Sequence, residues 1–330
     1  MSDADVVVVG AGIAGLVAAL DLALGHHVTV IDKGRGVGGR MATRRLGDAT
    51  FDHGAQFVTT HRADFADEVR RWCDAQVATP WFHGQVGPRG VTSSDGHDRF
   101  RGVVSMNDVA KHLAADCEVR RSCRAVSVRA ERDGWAVDLE DGTMLTAAGI
   151  VLTAPVPQTL ALLDAGGVVL SHGDRVALER VDYEPCLAVM VRTDAAPELA
   201  DPGAIAPEHG PLDWIADNQA KGISAVPALT LHAGAEASRR LWDEADETVA
   251  AELASSARSL TGGAWTMLEW SVQRWRYARP RVSHPDAALV LDGVAPAVVC
   301  GDAFGPGAKV EGAFESGRAA AAALAARVAG

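Results

Sequence analysis

The sequence predicts an α/β fold built on a parallel sheet, with a second, α+β domain formed by the middle of the chain. Three observations carry this. A run of β-branched residues turns through three glycines into an Ala- and Leu-rich stretch over residues 6–24. The 330 residues are about twice the usual size of one domain. The chain then closes as it opened, with a short apolar strand, a Gly-Asp turn and a long Ala-rich helix from residue 297 onward.

Residues 6–9 are four valines, a strand that wants burial on both faces. Residues 16–24 suit a helix. Between them G-x-G-x-x-G falls on Gly10, Gly12 and Gly15, at the strand-to-helix turn where the pattern has a physical reason. Gly10 permits the tight turn, Gly12 lets a pyrophosphate approach the backbone, and Gly15 lets helix and strand pack closely. The helix start at Ile13 and Ala14 offers free N–H groups and a positive dipole end to phosphates. A second strand at 27–31 ends at Asp32, whose carboxylate can accept from both ribose hydroxyls, and the ensemble predicts a dinucleotide site.

A nicotinamide-binding unit would continue with another strand and helix. This chain continues instead with KGRGVGGRMATRR at 33–45 and FDHGAQF at 51–57. Gly38, Gly39 and Arg40 resemble the loop that follows the ribose-binding acid in FAD-dependent flavoproteins of the amine-oxidase type. The string D-K-x-R-G-x-G-G-R-M with D-x-G-A-Q-F resembles the renalase branch of that superfamily. The resemblance implies a glutathione-reductase-type FAD-binding Rossmann domain with a discontinuous amine-oxidase-like substrate domain. It further implies that Lys33, Arg35, Gly39, Arg40, Met41, Gly54, Ala55 and Gln56 lie along the cofactor, with Arg40 at the phosphates. Arg44 and Arg45 read as a solvated basic loop.

A net charge of −12 and a pI near 5.3 exclude nucleic acid as a partner, because no basic surplus exists to neutralise phosphates. Cys73, Cys117, Cys123, Cys186 and Cys300 lack metal-ligand or C-x-x-C spacing and read as reduced core thiols of a cytoplasmic protein. No metal site is expected. Asp3 and Asp5 put the wrong charge ahead of the first apolar run for a signal peptide, and no stretch reaches the length of a membrane span.

Along the chain, residues 64–72 read as a short amphipathic helix, and 77–102 as strands or a loop contributed to the second domain, with His83 and His97 at the surface. Ser105 to Asp108 read as a capped helix start. Strands are expected at 118–120, 124–130 and 135–139, as a three-stranded meander followed by a separate buried strand at 149–153 ending in Ala154 and Pro155. In the resembled superfamily the meander's first strand lays a valine backbone against adenine. Val126, with Ala125 beside it, matches, though an ordinary half-buried strand valine reads equally well.

Residues 157–285 hold five of the eight tryptophans. Their uses are core packing or an apolar wall for a planar ring. PLDWIADNQAKG (211–222) and QRWRYARP (273–280) resemble renalase-type segments, which places Trp214 and Trp275 near substrate or in the core. A strand at 229–232 carries His232, either a satisfied strand histidine or a base, and 246–260 reads as an amphipathic helix stopped by Gly262. At the end, strand 297–300, Gly301-Asp302 and a helix starting near Val310 or Glu311 form a pattern associated with FAD. Its aspartate serves the ribityl or phosphate region, and Val310, Glu311 and Ala313 sit where the helix dipole meets the flavin's pyrimidine end. With no cysteine after Cys300, the FAD is expected to be non-covalent.

The expected domains are 1–76 with 103–156 and 286–330 for FAD, and 77–102 with 157–285 for substrate. The resemblance implies an oxidase that passes a hydride from a 2- or 6-dihydro isomer of NAD(P)H to flavin, with dioxygen reoxidising it to give hydrogen peroxide. Gln56 is either a hydrogen-bonding group near the flavin ring or a structural amide. Two rivals stay open. An amine oxidase would use a lysine near the flavin, for which only Lys221 lies in the second domain. The other rival is a non-catalytic flavoprotein.

Overall fold

The structure, a computed structural model, describes residues 3–90, 92–307 and 309–328. It forms two compact units, one from residues 1–39, 110–183 and 280–330, the other from 40–109 and 184–279.

The first unit is organised on an eight-stranded sheet, six strands of which run in the order Leu289–Val290, Ala297–Val299, Met144–Leu152, Ala4–Val9, Val28–Ile31, Glu118–Arg120, while Gly134–Leu139 and Ala125–Glu131 branch from Met144–Leu152. The valine run is its centre. Val6 pairs in parallel with Val28 on one side and Gly149 on the other, and Val6 to Val8 are fully buried. The helices Ile13–Leu22 and Val310–Val328 pack closely, and a Cβ at Gly317 would collide with the backbone carbonyl of Ala14. Val310 lies seven residues before that contact, about 10 Å along a helix. The closing helix therefore starts close to the opening turn.

Two expectations about the meander change. The strand Glu118–Arg120 is not part of it but runs parallel to Val28–Ile31. The meander is Ala125–Glu131, Gly134–Leu139 and Met144–Leu152, and its third strand is itself the buried strand expected separately. Ala147 pairs with Trp135 on one edge and with Ala4 on the other, so one strand serves both pairings without a break. Gly149, where the separate strand was expected to begin, makes room for Leu324 and Val328 of the closing helix.

The compact units also divide at other residues than the expected domains. Residues 40–76 and 103–109 lie in the second unit, where Ala49 and Phe51 share a buried cluster with Met190 and Ala228. Residues 157–183 lie in the first, where Asp174 accepts the backbone N–H of Asp292 at 2.9 Å.

The second unit is built on a five-stranded sheet ordered Ala204–Ile205, Leu212–Asp217, Ala228–Ala233, Asp182–Thr193, Met267–Val282. Alternation sorts its residues. Leu187, Val189, Val191, Ile215, Leu229 and Leu231 form a core with Val249, Leu253 and Ala257 of the helix Asp246–Thr261. Thr230 and His232 point the other way, onto the backbone of Asp52 and His53. The expected helix at 64–72 spans Ala63–Asp74, and 77–102 supplies the antiparallel pair Ala78–Val86 and Thr92–Gly102. Among the described residues no helix is long and apolar enough to cross a membrane. Replacing Gly317 with Val should lower the unfolding free energy by about 1–3 kcal/mol, read by urea denaturation, because the helix contact leaves no room for a side chain.

Candidate functional site

In the first unit the three glycines divide by cause. A Cβ at Gly10, where φ is +115°, would collide with the Thr153 hydroxyl, and one at Gly15 with the Gly10 carbonyl. Packing alone requires both. A Cβ at Gly12 would meet nothing within 4 Å. Gly12 is the N-cap of the helix Ile13–Leu22, and no side chain caps its first N–H groups. Open space before an uncapped helix start is a cradle for a phosphate, and a side chain at Gly12 would fill it.

Asp32 accepts Ala11 N–H at 2.7 Å on one carboxylate oxygen and Gly34 N–H at 2.6 Å on the other. It thus holds the turn in shape, and each oxygen keeps a lone pair for a ribose hydroxyl. Gly38 N–H donates to the Ala11 carbonyl, and Gly39 follows beside Gly12. Lys33 reaches Gln158 at 3.1 Å, while Arg35 is exposed. The ladder of strand Ala125–Glu131 pairs Ala125 and Ser127 but skips Val126, which is exposed and out of register. Pro155 is the N-cap of the helix Val156–Ala165.

At the other end, Cys300 N–H donates to Leu152, and Gly301 N–H to the buried Ser316 hydroxyl at 2.8 Å. Asp302 comes next, and Val310, Glu311 and Ala313 form the first turn of the closing helix. Every cysteine is free, but only Cys300 is fully buried and the other four are part-exposed. Burial pushes the thiols of Cys186 and Cys300 up to about 12.

The second unit gathers the remaining candidates around residues 52–57. Met41 is buried, the Ala55 N–H bonds the Arg40 carbonyl at 2.8 Å with Gly54 packed on it, and the Arg40 guanidinium donates to the Tyr277 carbonyl at 3.1 Å. Arg44, expected to be solvated, is part-buried on Ser271 at 2.8 Å, whereas Arg45 is exposed. Gln56 turns its amide N–H groups to the carbonyls of Asp52 at 2.6 Å and Gly54 at 3.2 Å. His53 stacks on Trp275 with ring centroids 5.3 Å apart, and the Trp275 indole N–H donates to the His53 carbonyl at 3.0 Å. His232 Nε2 meets that same carbonyl at 3.2 Å. A carbonyl only accepts, so Nε2 carries the proton. Burial lowers His232 to about 4 and His53 to about 3, which leaves both rings neutral and weakly basic. Trp214 sits cross-strand from His232 and belongs to a part-exposed aromatic group with Phe57, Trp81 and Phe82.

One element was not predicted. Lys221 is fully buried, donating to Asp52 at 2.8 Å and to the Gln56 carbonyl at 2.7 Å, with its ammonium over the Trp81 ring. Asp52 also accepts from the Thr43 hydroxyl at 2.7 Å and the Met106 N–H at 3.0 Å. Burial pushes the lysine below its usual range, and Asp52 pulls it back. The available signal was a single lysine in an arginine-rich second domain.

The start of the closing helix thus lies close to the glycine turn and its open helix start. Residues 90–325 match the family described as flavin containing amine oxidoreductase, and residues 8–75 an NAD(P)-binding Rossmann-like domain. The chain belongs to the flavin containing amine oxidoreductase family, and its cofactor is FAD.

Mouse renalase (Mus musculus) is 27% identical over 192 residues, 54% of this chain and 55% of renalase. A 4,4'-diapophytoene desaturase from Staphylococcus haemolyticus (strain JCSC1435) is 39% identical over 82 residues, 24% of this chain and 16% of the desaturase. The chain thus matches about half the length of renalase and less of the desaturase. The fold is shared with a provisionally named protoporphyrinogen oxidase from Exiguobacterium sp. 255-15, with a TM-score of 0.75 at 13% identity over 99% of both chains. It is shared also with a putrescine oxidase bound to putrescine, with a TM-score of 0.68 at 16% identity over 98% of this chain and 99% of that one.

Three outcomes follow from this geometry. Gly12→Val should give a colourless protein whose apo-form melts like the wild-type apoprotein, because its side chain enters space that no protein atom uses; absorbance near the flavin bands and thermal melts check it. Asp52→Ala should destabilise by about 3–5 kcal/mol by leaving the lysine uncompensated, and Asp52→Leu with Lys221→Met should recover most of that loss in a double-mutant cycle. Stability should fall as pH drops from about 6.5 toward 4 and below, since the unfolded histidines take up protons that folded His53 and His232 refuse; His232→Asn should flatten that slope in pH-dependent urea titrations.

Proposed function

We propose that the enzyme is an oxidase of reduced nicotinamides, taking a hydride from the 2- or 6-dihydro isomers of NAD(P)H. Bound FAD supplies the two-electron acceptor, which dioxygen returns to the oxidised state with release of hydrogen peroxide. The residues for its phosphates and ribose are Gly12, the helix start at Ile13 and Ala14, and Asp32. Gly301, Asp302 and the first turn of the closing helix serve its other end.

The observation that carries this reading is that the candidate bases gathered around residues 52–57 are either engaged or weakly basic. Lys221 is committed to Asp52 and Gln56, and His53 and His232 are neutral with low proton affinity. A dihydropyridine gains aromaticity as its hydride leaves, and no proton has to be taken from carbon. Trp214 and Trp275 offer flat faces for such a ring, and the similarity to mouse renalase points the same way.

An amine oxidase is the second reading, favoured by the part-exposed aromatic group, whose ring faces would also hold a cation. Anaerobic mixing with isomerised NADH, ordinary NADH and a panel of amines separates the two. The flavin band should bleach rapidly with the isomers alone, and bleaching by an amine alone would overturn the proposal. The bleaching rate should also stay flat between about pH 6 and 9, because no catalytic proton transfer titrates in that window.

A further inference from the structure

Five buried side-chain atoms in the second unit have no hydrogen-bond partner among the described residues, and besides Asn107 Oδ1 and Arg192 Nε they are His53 Nδ1, Gln56 Oε1 and Trp214 Nε1, whose side chains are linked by contacts. His53 and Gln56 lie on the same short segment. The Trp214 ring lies 5.6 Å from that of Phe57, the neighbour of Gln56, and its cross-strand partner His232 bonds the His53 carbonyl. An unsatisfied buried polar atom costs roughly 1–3 kcal/mol, and folds keep such atoms mainly where something else satisfies them. The bordering rings of Phe57, Trp81 and Phe82 are part-exposed, so the cluster adjoins solvent.

Two of the three hydrogen-bonding capacities are fixed, and the third follows the tautomer of His53. Trp214 Nε1–H can only donate. The Gln56 amide cannot be flipped, because its N–H groups face the carbonyls of Asp52 and Gly54, so Oε1 is the free end and can only accept. Neutral His53 can present Nδ1 as a second acceptor by choice of tautomer. One donor and two acceptors match a primary carboxamide, whose carbonyl accepts once and whose amino group donates twice. A carboxylate, with acceptors alone, would face Gln56 Oε1 with like polarity. An ammonium, with donors alone, would leave Trp214 unmatched.

We propose that His53, Gln56 and Trp214 form a carboxamide subsite that selects the amide of a nicotinamide ring. This rests on the reading of the enzyme as an oxidase of reduced nicotinamides and names the groups that give that reading its selectivity. The Asp52–Lys221 pair acts through Gln56, since Lys221 holds its carbonyl and the Asp52 carbonyl holds its amide.

The test is binding, measured by calorimetry on the oxidised holoenzyme with nicotinamide, nicotinate, methyl nicotinate and benzylamine. Methyl nicotinate is neutral but has no N–H, which separates hydrogen bonding from repulsion by an acidic chain. Nicotinamide should bind about 10-fold or more tightly than the other three. Trp214→Phe keeps the ring and removes the donor, and His53→Phe keeps the stack on Trp275; each should weaken nicotinamide about 10-fold and leave methyl nicotinate unchanged within about twofold. Equal binding of amide and ester, no binding of nicotinamide, or variants that bind it like the wild type would overturn the subsite. Failure of the dihydronicotinamide isomers to bleach the flavin would overturn the functional reading instead, and the two results are read in separate experiments.

Discussion

Asp52 is fully buried, and both of its carboxylate oxygens are engaged, one by Lys221 and the other by the Thr43 hydroxyl and the Met106 N–H. Its carbonyl accepts from the Thr230 hydroxyl and from the Gln56 amide, and its N–H meets Asn218. Through this one residue the segment 49–57 is fastened to the turn that follows the strand Leu212–Asp217 and to the strand Ala228–Ala233. Such a pair is a poor source of net stability, because desolvating two charges consumes most of their attraction. Removing either partner would leave a buried charge uncompensated. The aromatic faces and unpaired polar atoms of residues 53–57 follow directly on this residue in the chain.

The first unit depends on a different constraint, the close approach of backbones. Gly10, Gly15 and Gly317 remove the side chains that would keep strand, opening helix and closing helix apart. Gly12 is not needed for packing, and its freedom leaves the helix start open to an anion. Asp32 joins the two purposes, since its carboxylate both braces the glycine turn and retains acceptor capacity for a ribose. The binding groups are mostly main-chain, which suits a cofactor that must be held whatever the substrate.

The candidate bases around residues 52–57 are weakened by burial or engaged in structure. Burial lowers the proton affinity of His53, His232 and Lys221 alike, and the lysine is spent on structure. Neutral rings and fixed amides remain, groups that orient and discriminate. Selectivity in such a site comes from matching donors to acceptors, because a mismatch leaves a buried polar atom unsatisfied.

The parallel sheet, the dinucleotide turn, Asp32 and the closing helix were legible in the amino-acid sequence, because each rests on local patterns: β-branched runs, glycine spacing and Ala-rich periodicity. The gathering of Gln56, Trp214, Trp275 and His232 was legible only as a set of candidates. Their meeting depends on pairings between strands far apart in the chain, such as Trp214 with His232. The continuity of Met144–Leu152 and the place of Glu118–Arg120 were hidden for the same reason, since a strand's neighbours are chosen by the whole sheet. The Asp52–Lys221 pair spans 169 residues, and nothing in either segment alone marks a buried charge. Local chemistry thus determined the glycine turn and its open helix start, while tertiary structure decided which polar groups are satisfied and which are not, because burial and partnership are properties of the folded chain.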